Sequence, residues 1–273
     1  MVIDGHYHLS TGPEHVLARM DALGIDRTVL VGVGVRDLGV VTVHDSLIFR
    51  VPFLLQTLGV WRSRAIVRSR RLRETLLPEP DNRRVAAARR AHPDRFYGFV
   101  FVNPSHSQAL IEATRRLDEG FCGIKLALLQ YPAPLDGPEV AALCELAQAR
   151  RVPIFFHQGP TPATSEAGAL FRRFADVLFI IAHAGVQFFG RALAWATAHR
   201  NVWLDTSSYF VTEPKLRRMV RELGTRKLLF GSDVPVMARD AVEALAKIQA
   251  LRLDEAGEAA ILGGNLQKIL EGT

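Results

Sequence analysis

The chain has 273 residues, of which 48% are hydrophobic and 23% are charged, and its formal net charge is +6. This composition supports a large core and argues against a disordered chain, while the length suits a single domain spanning residues 1–273. The start of the chain lacks the basic and apolar regions of a secretory signal, and Cys122 and Cys144 are too few for a disulfide framework. We therefore expect a reduced, cytoplasmic protein.

Neither a nucleic acid nor a membrane is an expected partner. Residues 62–95 contain eleven arginines against four acidic residues, but no aromatic side chains are interleaved with them. A solvated helical face therefore explains these arginines better than nucleic-acid binding does. The longest apolar stretch, residues 47–61, is interrupted by Arg50 and Pro52, and it is shorter than the roughly 20 residues that a membrane span needs.

Strand-like and helix-like segments alternate along the chain. The alternation predicts a parallel sheet with crossover helices, and eight strands with eight following helical segments predict an α/β fold of the (β/α)8 TIM-barrel type. The predicted strands, in chain order, are residues 2–4, 28–33, 96–102, 122–126, 152–157, 178–183, 202–205 and 227–231. The predicted helices are residues 13–23, 82–91 and 138–150, one that follows Pro214 and ends at Gly224, and two that begin near residues 239 and 255.

One connection, residues 36–81, is longer than a barrel needs between a strand and the helix that follows it. It contains several apolar runs and follows the carboxyl end of strand two, on the face where barrel active sites lie. Apolar runs of this size would promote association if they stayed in water. We expect this insertion to be a lid over the substrate pocket, a surface for oligomerisation such as a homodimer, or both.

His6 and His8 follow the first strand at a spacing that suits a metal site. In extended backbone, residues i and i+2 point to the same face, so both imidazoles can reach one ion. His157 ends strand five and Asp233 follows strand eight, and the carboxyl ends of all eight strands of a barrel surround one mouth. Three imidazoles and one carboxylate suit zinc, with manganese, iron or cobalt as alternatives. Such an ion would activate a water molecule and polarise a carbonyl group.

Three further residues at strand ends have more than one interpretation. His183, which ends strand six, is a candidate second-metal ligand or an acid/base that orients the substrate, and the alternative is a buried histidine bonded to the backbone. Lys125 in strand four would contact the substrate or bridge two metals as a carbamate, although a neutral or salt-bridged interior lysine explains it better. Asp205 near the end of strand seven either caps the next loop or takes part in the chemistry.

The chain resembles the amidohydrolase superfamily, specifically the amidohydrolase-related group of metal-dependent barrel hydrolases and non-oxidative decarboxylases. The motifs that carry the resemblance occur in family order at residues 4–8, 17–26, 123–126, 157–159, 182–185, 230–235 and 261–265. The resemblance implies a distorted barrel in which His183 is catalytic. It also implies one divalent metal, usually zinc, held by His6, His8, His157 and Asp233. Residues 36–81 have no counterpart in this resemblance, so it leaves the substrate open.

The leading functional prediction is a metal-dependent hydrolase of a small amide, ester or lactone, in which Asp233 transfers a proton and His183 stabilises the developing oxyanion. The alternative is a non-oxidative decarboxylase or hydratase of a small unsaturated or aromatic carboxylic acid, which would use nearly the same residues. A third interpretation, an inactive barrel that serves as a binding protein, is disfavoured by the intact ligand set. We predict a small, anionic substrate bound by Arg36, Arg50 and Lys125.

Overall fold

The computed structural model describes residues 1–34, 61, 69 and 77–271. Eight parallel strands form one sheet in which each strand pairs with the next one along the chain. The strands are β1 (Ile3–His8), β2 (Arg27–Val31), β3 (Phe96–Val102), β4 (Gly123–Ala127), β5 (Ile154–His157), β6 (Phe179–Ile181), β7 (Val202–Asp205) and β8 (Leu228–Leu229).

Backbone hydrogen bonds connect β1 to the segment that follows β8. The Gly5 N–H donates to the Phe230 carbonyl at 3.0 Å, and the Asp233 N–H donates to the His6 carbonyl at 2.7 Å. The eight strands therefore enclose a nearly closed barrel, and the predicted TIM-barrel fold is confirmed.

Helices separate the strands. They are α1 (Pro13–Leu23), α2 (Asn82–Ala91), α3 (Ala109–Asp118), α4 (Pro138–Arg150), α5 (Pro162–Ser165), α6 (Gly168–Arg173), α7 (Phe189–Ala198), α8 (Glu213–Leu223), α9 (Val242–Gln249), α10 (Glu255–Ala259) and α11 (Asn265–Glu271). A 3₁₀ segment, Ala182–Phe188, precedes α7, and a π-helical turn, Ala260–Gly264, joins α10 to α11. Across the described part of the chain, no helix combines the length and apolarity that a membrane crossing requires.

Local sequence signals set several helix ends at the predicted residues. Helix α1 begins at Pro13, whose fixed φ suits the first helical turn, and it ends before Gly24, which has a left-handed φ of 66°. The Asp81 carboxylate accepts a hydrogen bond from the Arg83 N–H at 3.0 Å and so caps α2. These caps satisfy backbone groups that a helix end would otherwise leave unpaired.

The core has two layers, one inside the barrel and one between the barrel and its helices. The inner layer contains Val29, Phe99 and Phe155, which are at most 3% exposed. Towards the mouth of the barrel this layer ends at His6, whose ring centre lies 4.5 Å from the ring centre of Phe155. The packed barrel interior therefore forms the floor beneath the side chains at the mouth.

Several predicted strands have different lengths in the structure, among them the first and the eighth. The predicted strand 2–4 continues to His8 in the structure. The side chains of His6 and His8 are buried in the barrel, as apolar side chains of a strand would be. The predicted strand 227–231 is shortened to two residues, Leu228–Leu229. Gly231 lies just after this short strand and is closely packed. A Cβ atom added to it would lie 2.6 Å from the Asp205 Oδ1 and 2.9 Å from the His6 Cβ.

The prediction that strand six runs to His183 is wrong. Strand β6 ends at Ile181, and His183 lies in the 3₁₀ segment with φ 52° and ψ 34°, the left-handed helical region. Ala184 and Gly185 share this conformation, with φ values of 47° and 82°. The chain therefore turns sharply at the mouth of the barrel and does not continue along the sheet.

Most of the predicted insertion, including Arg36 and Arg50, lies outside the described residues. Gly34, just before the insertion, and Pro78, near its end, are described, and both contact one side chain. The Tyr131 hydroxyl contacts the Gly34 carbonyl at 3.0 Å and also the Pro78 carbonyl. Because Gly34 follows β2 and Tyr131 follows β4, the insertion leaves and rejoins the barrel at the carboxyl ends of the strands.

Candidate metal centre

Six polar side chains from five strands meet inside the mouth of the barrel. Two lie on β1, one ends β5, one follows β6, one ends β7 and one follows β8. They are His6, His8, His157, His183, Asp205 and Asp233. Five of them are at most 7% exposed. The four predicted ligands and the predicted acid/base therefore lie in the same pocket, as the strand-end argument requires.

Asp233 is at the centre of this cluster. Its Oδ1 lies 3.4 Å from the His6 Nε2 and 3.3 Å from the His8 Nε2, and its Oδ2 lies 3.4 Å from the His183 Nε2. Among the described residues, neither oxygen has a hydrogen-bond donor in good geometry, although both are buried. Burial raises the pKa of this carboxyl above its ordinary value. Asp233 therefore directs two buried oxygens at three imidazole nitrogens.

The contacts of His8 show which of its two ring nitrogens carries the proton. Its Nδ1 lies 3.0 Å from the Gly32 carbonyl, which can only accept a hydrogen bond. The Nδ1 atom must therefore carry the proton, and the Nε2 atom faces Asp233 with a lone pair. A backbone carbonyl that orients a histidine in this way is a common outer contact of metal-binding histidines.

Asp205 and Ser207 lie behind His6 and His183, on the opposite side from Asp233. The Ser207 Oγ is 3.2 Å from the His6 Nδ1 and 2.9 Å from the His183 Nδ1, and it also contacts the Asp205 carboxylate. The Asp205 Oδ2 accepts the backbone N–H of His183 at 3.0 Å. Sequence reasoning left Asp205 open and missed Ser207, although an acid and a hydroxyl two residues apart at a strand end were the available signal.

The left-handed turn at His183 costs free energy, on the order of 1–2 kcal/mol for each residue that has a Cβ atom. The hydrogen bond from the His183 N–H to Asp205 holds one end of this turn. At Gly185, a Cβ atom would lie 2.7 Å from the Ala192 Cβ and 2.8 Å from the Gln158 Oε1, so only glycine fits there. Asp205 therefore positions both the ring and the backbone of His183.

His157 lies beside His183, with ring centroids 5.0 Å apart and nearly perpendicular planes. Burial lowers its pKa to about 3, and the nearby Lys125 and His8 act in the same direction. The ring is therefore neutral and has a lone pair to offer. The predicted ligand role for His157 stays a prediction, because its nitrogens do not join either close group of candidate ligand atoms in the described residues.

Lys125 on β4 lies inside the barrel below the cluster. Its Nζ is 3.0 Å from the His6 Nε2 and 3.9 Å from the centre of the Phe155 ring. Burial lowers its pKa to about 7, while Asp233 and Asp205 act against that shift. In its protonated form, Lys125 donates a hydrogen bond to His6 and balances part of the buried acidic charge.

Asp4 is a further buried acid that sequence reasoning did not single out as a separate site residue. Its carboxylate accepts the N–H of His6 at 3.1 Å, the N–H of Ser232 at 2.9 Å and the hydroxyl of Ser232 at 2.5 Å. Burial raises its pKa to about 7. Asp4 therefore links β1 to the segment that carries Asp233. The backbone of Asp233 has a left-handed φ of 61°.

The chemistry of these donors fits a divalent cation. The Nε2 atoms of His6, His8 and His183 surround the buried oxygens of Asp233. The lone pair of the His8 Nε2 faces a carboxylate oxygen that can only accept, and such a contact is repulsive unless a cation or a proton lies between the two atoms. Ligand atoms of His6, His8 and Asp233 lie within 4.8 Å of one another, and so do those of His6, His183 and Asp205. The group of His6, His183 and Asp205 faces the Ser207 hydroxyl. The group of His6, His8 and Asp233 is therefore the one that suits a metal open to the mouth.

Several solved structures share this fold. A probable 2-pyrone-4,6-dicarboxylic acid hydrolase from Acinetobacter baumannii, solved with citric acid bound, has a TM-score of 0.68 at 15% identity and covers 100% of this chain and 99% of its own. A 4-oxalomesaconate hydratase from Rhodopseudomonas palustris gives a TM-score of 0.68 at 18% identity, with coverages of 99% and 96%. A dihydroxybenzoic acid decarboxylase from Polaromonas sp. JS666, solved with manganese and an inhibitor, gives 0.66 at 17% identity, with coverages of 99% and 96%.

No curated protein sequence matches the chain. A family model described as amidohydrolase matches residues 64–271, a range that contains His157, His183 and Asp233 but begins after His6 and His8. This match covers well over half of the chain, and the barrel carries the expected histidines and aspartate at its mouth. The chain therefore belongs to the amidohydrolase family.

Proposed function

We propose that the protein is a metal-dependent hydrolase of a small, anionic amide, ester or lactone. The observation that carries this proposal is the Asp233 carboxylate, which is buried among imidazole nitrogens and has no hydrogen-bond donor among the described residues. In the proposal, one divalent ion, zinc or manganese, is held by His6, His8, His157 and Asp233. When bound, such an ion lowers the pKa of water and polarises a carbonyl group.

Asp233 and His183 perform the proton transfers in this proposal. Asp233 takes up the proton that the attacking water loses, at a carboxylate oxygen. Its Oδ2 lies 3.4 Å from the His183 Nε2, so a proton can pass between the two groups and then to the leaving atom. Burial holds the pKa of His183 well below its ordinary value, so the ring enters the reaction neutral.

Arg36 and Arg50 stay the predicted partners of the substrate's carboxylate. Gly34, just before the insertion, and Pro78, near its end, both contact Tyr131 on the carboxyl-end face. We propose that the insertion forms a lid there and that Lys125, inside the barrel, adds positive charge beneath the substrate. A small anionic substrate is also in keeping with the citric acid bound by the Acinetobacter hydrolase.

A lyase is the second candidate, and the similarity to a hydratase and a decarboxylase over nearly their full lengths favours it. In a decarboxylation, the bond from the substrate carbon to its carboxylate breaks, carbon dioxide leaves, and the carbon takes up a proton. Asp233 or His183 would hold that proton before its transfer. The two candidates therefore differ in the substrate and share these residues.

Turnover by metal-stripped and metal-restored protein tests the proposal. The substrate panel contains small carboxylated lactones, esters and amides, read by acid release, and hydroxybenzoates and unsaturated diacids, read by carbon dioxide release or loss of absorbance. We expect acid release that disappears after chelation and returns with zinc or manganese. The Asp233→Asn variant, purified in parallel, reports contaminating activity. Turnover only of the second group would replace the hydrolase by the lyase, and turnover that survives chelation would contradict metal dependence.

A further inference from the structure

Ser207 occupies an unusual place for a small residue, because its one hydroxyl contacts three side chains of the candidate centre. The Oγ atom lies 3.2 Å from the His6 Nδ1 and 2.9 Å from the His183 Nδ1. Its closest polar neighbour is the Asp205 Oδ2. Ser207 is fully buried, so water does not compete for these contacts.

The hydrogen-bonding capacity of these groups leaves one consistent arrangement. An ionised carboxylate only accepts, so the single proton of the Ser207 hydroxyl points to Asp205. The two lone pairs of that hydroxyl then remain for the two imidazoles, and each Nδ1 must donate to it. A neutral imidazole carries one N–H, so the Nε2 atoms of both rings are left with lone pairs.

A second observation agrees with this arrangement. On the far side of His6, the Lys125 Nζ lies 3.0 Å from the Nε2 atom. A protonated lysine Nζ only donates, so the His6 Nε2 accepts here when Lys125 carries its charge. The two sides of the ring, which contact different strands, therefore specify the same tautomer.

We propose that Ser207, oriented by Asp205, is a positioning residue that fixes His6 and His183 in the tautomer with the proton on Nδ1. The proposal rests on the proposed function for its consequence, since both Nε2 lone pairs then face Asp233, where a metal would bind. It also assigns the direction of proton transfer at His183. The ring enters the reaction as a proton acceptor at Nε2, and it can stabilise an oxyanion only after it has taken up that proton.

Tautomers are measured directly by long-range ¹H–¹⁵N correlation spectra of metal-free protein labelled with [¹⁵N]histidine, at about pH 8, well above the ordinary imidazole pKa. We expect the wild-type protein to carry the proton on Nδ1 in both His6 and His183. In Ser207→Ala, the contact that remains to the His183 Nδ1 among the described residues is the Asp205 Oδ2 at 3.6 Å, beyond hydrogen-bond distance, so His183 should become a mixture of tautomers. His6 should change less, because its Nδ1 also lies 3.4 Å from the Asp205 Oδ2.

Zinc affinity, measured by competition with a chelator, is the second readout. We expect Ser207→Ala to weaken zinc binding by about 10–100-fold, the usual effect of removing an outer hydrogen bond from a ligand, and Ser207→Thr to restore most of it. Ser208→Ala is the matched control, since the Ser208 hydroxyl accepts the N–H of Phe210 and belongs to the same loop. That control should keep both the tautomers and the zinc affinity.

A wild-type spectrum with the proton on Nε2 of either ring would overturn the proposal, even if the Ser207→Ala variant does not fold. Unchanged tautomers and a zinc affinity within about twofold of wild type in Ser207→Ala would overturn it as well, since losing an outer hydrogen bond usually costs tenfold or more. The tautomers are measured without metal, so a wild-type protein that binds no zinc would contradict the proposed function and leave this inference standing.

Discussion

The Asp233→Asn variant is expected to lose turnover by about 10³-fold, the middle of the range for removing a general acid/base. The amide neither takes up the proton of the attacking water nor neutralises a cation. Asparagine also suits the backbone, because Asp233 has a left-handed φ of 61°, which asparagine adopts readily. The measurement is turnover with the same added zinc concentration for every protein, with Asp136→Asn on the exposed surface as the control.

The same variant should not lower the melting temperature of the metal-free protein. Burial of an ionised carboxylate without donors destabilises the folded state, and the asparagine amide can instead donate to a neighbouring imidazole Nε2. Equal turnover in Asp233→Asn would remove Asp233 from the chemistry. A large loss of stability with zinc affinity intact would make it a structural residue.

The His183→Asn variant is expected to keep the metal and to lose at least about 100-fold in turnover, the lower end for removing an acid/base or an oxyanion donor. Asparagine is chosen because His183 has φ 52°, where alanine would add backbone strain. Turnover and elemental analysis are measured on the same preparation, with His15→Asn on the exposed side of α1 as the control.

Two other outcomes would assign His183 differently. Loss of one equivalent of metal would make it a ligand, which the 3.4 Å distance from its Nε2 to the Asp233 Oδ2 allows geometrically. Unchanged turnover and metal content would make it a structural residue of the turn at β6.

Helix boundaries could be read from the sequence because their signals are local. Pro13 and Gly24 act within one turn of the helix ends, so α1 has its predicted limits. The barrel itself was predictable for a different reason, since it follows from the number and alternation of apolar segments.

The mouth of the barrel was less predictable, because its residues are determined by contacts distant in sequence. His6 and His8 look like loop residues in a hydropathy pattern, yet they continue β1 since Asp205, Ser207 and Asp233 surround them. The left-handed turn at His183 depends on a hydrogen bond to Asp205, 22 residues away. A sequence pattern indicates which residues of a single strand are buried. The polar network at the mouth joins residues from five strands, and no pattern within one strand indicates it.

Metal binding by the wild-type protein tests the central claim most directly. Metal-stripped protein is titrated with zinc and with manganese in a calorimeter, beside Asp233→Asn and His8→Ala. The account predicts about one equivalent bound by the wild type, as expected for a site with one set of imidazole and carboxylate ligands, and loss of this binding in both variants. A wild-type protein that binds neither ion, or variants that bind as the wild type does, would contradict it.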